Sequence, residues 1–240
     1  MTRREFLARL PQRPDLAPGP IPPRPGGPPP DLAAALLEAL AAGGCGVRRA
    51  STAGEALDAA LVLAREAGVT RLGHHDLGPE LTPLLPAAAK RVGIELVEAG
   101  DGDEQAVALA EPLAAGLTRP ELAVAQLGAL VHLARPGGGR LLSLMPPLHL
   151  ALVHAGDILW SLDDLAARLD APPDPPVDAW PALTLISGPS KTGDIEAVMV
   201  RGVHGPGRVE VVAWGWTAPA NPLKDQALTG LAPRGNLAPS

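Results

Sequence analysis

The chain of 240 residues carries 29 Pro and 27 Gly, yet 46% of its residues are hydrophobic and its mean hydropathy is slightly positive (+0.14), so it holds enough apolar material for a core. One Phe, four Trp and no Tyr mean a core of Ala, Leu and Val and exclude a catalytic tyrosine. A net charge of −6 without a long basic run argues against nucleic-acid binding, and a single cysteine, Cys45, cannot by itself form an internal disulfide, an iron–sulfur cluster or a structural zinc site.

Residues 1–30 read as a short N-terminal helix followed by a Pro-rich arm that forbids helix and ladder. No apolar run reaches signal-peptide or membrane-span length, so a cytoplasmic protein with no membrane span is expected. From residue 31 the pattern changes to that of a folded α/β domain, expected to extend to 216, with an irregular tail over 217–240. Asp31 is placed to cap an Ala/Leu helix that ends at Gly43 and Gly44, with a strand over 47–50. Thr52 followed by Glu55 is a capping-box pattern and opens a helix to about residue 67. Strand 69–73, helix 79–92 and strand 94–99 follow, a βαβαβ rhythm that implies a mainly parallel sheet with helices on both faces.

Asp103 or Glu104 is expected to start a helix running to about residue 117, with a further turn or two over 120–126. Strand 129–134 leads through the turn 135–140 to 141–145, and 148–153 reads as a strand buried on both faces. Ser161 or Asp163 caps a helix to 169, and 171–176 is a Pro-rich loop. Segment 183–187 reads as another buried strand, 193–200 as a helix, and 209–214 as the strand that closes the sheet.

The richest local grammar is Thr184-Leu-Ile-Ser-Gly-Pro-Ser-Lys-Thr-Gly-Asp-Ile-Glu196. A strand ending at Ser187, a turn at Gly188 and Pro189, and a helix opening at Ser190 or Thr192 would aim free N–H groups at an anion, with Lys191 adding charge. The spacing is not that of a Walker A loop. A capped helix, with Asp194 and Glu196 complementing its dipole, satisfies the same pattern without a ligand. His204, in Gly202-Val-His-Gly-Pro206, is a general base or anion donor, or else a solvent-facing histidine. His149 inside an apolar strand reads as a hydrogen-bonded core histidine. His74, His75 and Asp76 follow a strand, but adjacent residues on a strand point to opposite faces, so no metal site is expected. Cys45 reads as a loop thiol.

Three ordered motifs, Ser143-Leu-Met-Pro-Pro-Leu-His149, the 184–196 segment and Gly202-Val-His-Gly-Pro206, make the chain resemble the LUD-domain family of lactate-utilisation C proteins. The resemblance implies a three-layer α/β sandwich similar to that of phosphosugar isomerases, deaminases and CoA transferases. It also implies a part in oxidising L-lactate to pyruvate beside iron–sulfur partner proteins, with no cofactor on this chain. On these readings His204 and Lys191 are the catalytic candidates, and Gly128, Ser187, Gly188, Ser190, Lys191, Thr192, Asp194 and Glu196 are the ligand-binding ones. Where the family pattern has Ala-Glu-Thr-Gly-Thr, this chain has Ala125-Gln-Leu-Gly-Ala129 and keeps only Gly128. Two other readings stay open: an independent small-molecule enzyme of the same superfold acting on an anion, and a structural or regulatory binding module.

Overall fold

The computed structural model describes residues 27–99, 113–133, 139–170, 182–193, 199–201 and 205–215. In chain order they form α1 (Leu32–Gly43), β1 (Gly46–Arg49), α2 (Ala53–Glu66), β2 (Arg71–His74), α3 (Leu85–Val92), β3 (Glu95–Glu98), β4 (Ala115–Thr118) and β5 (Leu122–Val124). There follow β6 (Ala129–Leu133), β7 (Leu148–His154), β8 (Ile158–Leu159), α4 (Leu162–Asp170), β9 (Leu183–Ile186), β10 (Lys191–Gly193), β11 (Met199–Arg201) and β12 (Arg208–Trp214). Short 3-10 turns occupy Ala125–Leu127, Gly139–Ser143 and Ala155–Asp157.

The local signals work where they are strongest. The Asp31 carboxylate accepts from the Ala34 N–H at 2.8 Å and opens α1, and Gly44 closes it in the left-handed region with φ 98°. Thr52 caps α2 by accepting from the Glu55 N–H at 3.2 Å. The Glu55 carboxylate returns to the Ser51 N–H at 2.8 Å, a capping box reaching one residue further back than its usual form. Along α1, buried Ala33, Leu36, Leu37 and Leu40 fall at helical spacing and make one apolar stripe.

Six strands build a wholly parallel sheet in the order β1-β12-β7-β4-β2-β3. Side chains alternate across it. Leu148, Leu150 and Leu152 of β7 pack with Leu117 of β4 against α2 and α3. Ala151 and Val153 face the opposite way and pack with Val209 and Val211 of β12 against α1. Helices therefore cover both faces, as the βαβ rhythm foretells. On the α1 side a second, four-stranded sheet in the order β8-β5-β6-β9 also contributes Ala123, Leu130 and Ile186 to that core. Its outer face, with Val124, Val131 and Leu133, is covered by Leu165 and Leu169 of α4.

Several expectations are corrected. Residues 115–117 are not the end of a helix but lie in β4, and 120–126 hold β5 and a 3-10 turn in place of a helical turn. Ala and Gly in β4 lack strand character of their own, and burial in the sheet centre overrides propensity. Segment 79–92 is helical only from Leu85, with Pro86 in its first turn, and the strand expected over 141–145 is largely a 3-10 turn. Strand β9 is not buried on both faces: it edges the small sheet, with Leu183 and Leu185 40% and 42% exposed. At the described ends of the helix expected over 193–200, Lys191–Gly193 and Met199–Arg201 pair instead as antiparallel strands, and residues 194–198 lie outside the described residues. Strand β12 does not close the sheet at its edge but fills an inner position between β1 and β7. The N-terminal helix and Pro-rich arm up to residue 26, the helix expected over 103–112, the 171–176 loop and the 217–240 tail lie outside the described residues.

Candidate functional site

The three sequence motifs meet, at an unexpected end of the sheet. The Ser190 N–H donates to the Pro206 carbonyl at 2.9 Å, Gly205 packs on the Ser190 side chain and the Leu144 carbonyl, and the Arg208 N–H donates to Pro147 at 3.2 Å. Pro147 and Gly207 directly precede β7 and β12, so this junction sits at the amino edge of the parallel strands. The helix N-terminus expected at Ser190 or Thr192 is absent: Lys191 and Thr192 lie in β10, and the segment's strand β9 belongs to the small sheet. Asp194, Glu196 and His204 lie outside the described residues.

Gly128, Ser187 and Gly188 are gathered around the C-terminal half of α1. Gly128 has φ 57°, and a Cβ there would stand 2.7 Å from the Ala39 backbone carbon; Gly188 has φ 152°, and its Cβ would stand 2.7 Å from the Gly43 carbonyl oxygen. Both glycines are thus accounted for by the close approach of a helix backbone. The carboxylate and hydroxyls that this chain lacks at 126, 127 and 129 would fall on the turn joining β5 to β6 and on the first residue of β6.

A buried polar seam runs between the two sheets. His149, on β7, is fully buried, and its Nε2 lies 2.8 Å from the Thr118 hydroxyl on β4. His132, on β6 of the small sheet, places its Nε2 3.5 Å from the same hydroxyl, with the two rings 5.8 Å apart. The core histidine expected at 149 is therefore found with its partner. Burial pushes His132 down to about 4, and burial with the neighbouring His132 pushes His149 down to about 3, so both rings are neutral near pH 7.

The network assigns the protons. His149 Nδ1 has no hydrogen-bond partner, and a buried lone pair left open costs less than a buried N–H left open, so the proton of His149 is on Nε2 and is donated to Thr118. Thr118 then donates to His132 Nε2. The proton on His132 Nδ1 faces the Glu121 carboxylate at 3.9 Å, and that carboxylate also accepts from the Leu133 N–H at 3.0 Å. Donation thus runs from His149 through Thr118 to His132, whose Nδ1 lies 3.9 Å from a partly exposed carboxylate.

The opposite, carboxyl edge of the main sheet carries the accessible chemistry. Arg119 follows β4 directly. Its Nη2 donates to Asp157 at 3.0 Å, its guanidinium lies 5.5 Å from the ring centroid of Trp214 at the end of β12, and its side chain is 22% exposed. His154, the last residue of β7, meets the Trp214 ring edge-on at 5.4 Å. Its Nδ1 accepts from the Gly156 N–H at 3.1 Å, which leaves Nε2 as the proton-bearing nitrogen of the neutral ring. The loop after β2 reaches the same place: Gly78 abuts Arg119 Nη1, and Asp76 accepts from the Gly78 N–H at 2.8 Å and from the Thr82 hydroxyl at 3.3 Å. His74, ending β2, is held below the usual histidine range mainly by burial.

This edge contains a topological switch. From β2 the chain moves to β3 on one side, and β4 returns on the other. In open α/β sheets the crevice outside such carboxyl ends is where ligands bind. Sequence reasoning missed Arg119, Asp157 and Trp214. Each stands alone in its segment, and only the strand order brings them together. Among the described residues, no group of three or more His, Cys, Asp or Glu side chains is arranged to hold a metal ion.

Comparison with known proteins adds a consistent picture. Residues 33–213 match the model of the LUD domain. Proteins named lactate utilization protein C are similar over part of their length: 34% identity over 98 residues in Macrococcus caseolyticus, covering 41% of this chain and 42% of that protein. In Halalkalibacterium halodurans the identity is 30%, covering 51% and 53% respectively. In Deinococcus radiodurans it is 33%, covering 55% and 59%. The matched segments thus span about half the length of these curated relatives. A crystal structure of a DUF162 family protein from Deinococcus radiodurans superposes with a TM-score of 0.52 at 22% identity, covering 77% of this chain and 96% of that one, and shows the same fold.

Proposed function

Given that the chain belongs to the LUD-domain family, we propose that it serves in L-lactate utilisation as a subunit that carries no redox centre of its own, acting beside iron–sulfur proteins in the conversion of lactate to pyruvate. The observation that carries this reading is the similarity to several proteins named lactate utilization protein C. The single cysteine supports the division of labour, since a cluster of the usual kind takes four thiolates and this chain has one, buried beside α1. No helix among the described residues is long and apolar enough to cross a membrane, which fits a partner recruited by protein contact.

The test is genetic and biochemical together. A strain lacking the gene grows poorly on L-lactate and normally on pyruvate, and the tagged chain purified from lactate-grown cells brings iron–sulfur protein with it. Normal growth of the deletion strain on lactate, with no iron–sulfur protein retained, overturns the proposal.

A second reading is favoured by the carboxyl-edge cluster. An arginine oriented by Asp157 and Trp214 at a topological switch fits a chain that itself binds a small anion, and this is compatible with the first reading.

A further inference from the structure

We infer that the free edge of β9 is a docking site for an extended segment of a partner protein, one that carries an Asp or Glu between two apolar residues and adds to the small sheet as a fifth strand.

The two larger sheets have four edge strands, and three of them are guarded. β1 carries Arg48 and Arg49, β3 carries Glu95 and Glu98, and β8 is two residues long. Charge and brevity of this kind keep a sheet edge from pairing with another chain. β9, Leu-Thr-Leu-Ile from Leu183 to Ile186, has neither protection. It pairs with β6 on one side, and among the described residues no strand lies on the other. Alternate residues of an edge strand turn their N–H and C=O groups outward, where a further ladder can form. Pro181 and Pro189 bracket the strand and confine such a ladder to the residues between them.

The two faces of β9 dictate what the added strand carries. Leu183 and Leu185 stand opposite Leu133 and Val131 on the outer face; α4 covers those two, whereas the β9 leucines are exposed. Apolar side chains at the facing positions of an added strand cover them, as cross-strand neighbours do. Thr184 lies between the leucines on the inner face, opposite His132, and its hydroxyl accepts from Nη1 of Arg140 at 3.5 Å. No carboxylate among the described residues pairs with Arg140. A residue of the added strand directly opposite Thr184 has its Cβ ~5 Å away on the same face, which puts an Asp or Glu there within reach of the guanidinium. Strand alternation then gives the order apolar, acidic, apolar.

A second copy of this chain fits less well. Antiparallel pairing of β9 with itself about Thr184 matches Leu183 to Leu185, but it sets two Arg140 side chains against each other and supplies no acid.

The test is an NMR titration of the full chain with a blocked heptapeptide of threonines around a central Val-Glu-Val, and with its Val-Lys-Val counterpart. Every variant is first checked for an unchanged melting curve. The Glu peptide is expected to bind with shifts centred on the amides of residues 183–187, and the Lys peptide at least fivefold more weakly. Arg140→Glu reverses that order; if the reversed charge does not fold, Arg140→Gln brings the two affinities within twofold. Leu183→Ser combined with Leu185→Ser weakens the Glu peptide at least threefold. No binding at millimolar peptide, shifts centred elsewhere, or equal affinity of the wild-type chain for the two peptides overturns the proposal. Self-association of the wild-type chain in sedimentation runs that is lost in the double Ser variant also overturns it, because the edge then belongs to a second copy.

Discussion

Nε2 of His149 stands 2.8 Å from the hydroxyl of Thr118, joining β7 to its neighbour β4 through side chains as well as backbone. Thr118 is the one described group that satisfies either nitrogen of that ring, and it also faces His132 across the two sheets. Replacing Thr118 with Val keeps the shape and removes the hydroxyl. Both nitrogens of His149 are then unpaired in the core, and a loss of about 1–3 kcal/mol is expected. Urea unfolding at pH 7.5 measures it, and a variant as stable as wild type contradicts the assigned network.

The same seam sets the response to acid. Both histidines are held below their unfolded value of 6.5, so between that value and their folded ones the unfolded chain binds more protons. Stability is therefore complete above about pH 6.5 and falls as the pH drops toward 4 and then 3. For His132 the loss by pH 5 is about 2 kcal/mol, and for His149 it is similar. Urea midpoints from pH 7.5 to 5 should fall accordingly, and in His132→Gln about half of the decline should vanish. A pH-independent midpoint over that window would show that these rings are not the neutral pair described.

Two glycines of similar backbone but different surroundings separate strain from collision. Gly128 and Gly68 both have positive φ, 57° and 77°, but only Gly128 faces a helix backbone; nothing lies within 4 Å of a Cβ at Gly68. Gly68→Ala should cost ~1 kcal/mol from the left-handed backbone alone. Gly128→Ala should cost at least ~1 kcal/mol more, because α1 must move away from the turn joining β5 to β6. Equal melting temperatures for the two variants contradict this packing.

Val62 and Leu61 are adjacent on α2 and make a second comparison. Leu61 is fully buried against the main sheet, whereas Val62 is 46% exposed. Leu61→Ala is expected to cost ~2–5 kcal/mol by leaving a cavity, and Val62→Ala to stay within ~0.5 kcal/mol. Denaturant titration distinguishes them.

The first half of the fold is legible in the sequence because its signals are local. Asp31, Thr52 and Glu55 cap the helices that their spacing assigns to them, and Gly44 and Gly93 end theirs. Legibility fails where partners are distant. Ala115 and Gly116 become a central strand only because β2 and β7 flank them. Ser190 and Thr192 look like helix caps by residue type, but the hairpin with β11 takes the segment instead. The 183–187 run is apolar enough for a buried strand, and nothing local shows that it edges a separate sheet. The site suffers in the same way. Arg119 has no motif, and the companions that give it meaning, Asp157 and Trp214, lie 38 and 95 residues further on.

The inner position of β12 has a consequence for how the protein is made. Gly46 of β1 pairs with Glu210, so the two are 164 residues apart along the chain, and β7 also waits for β12 along its whole length. During synthesis β1 and the β7–β4–β2–β3 block have no strand between them until Trp214 has left the ribosome. Such distant pairing slows folding and prolongs the exposure of unpaired strand edges. Nascent chains halted before Arg208 should therefore be sensitive to protease and bound by chaperones, and those released beyond Gly215 should become resistant in one late step.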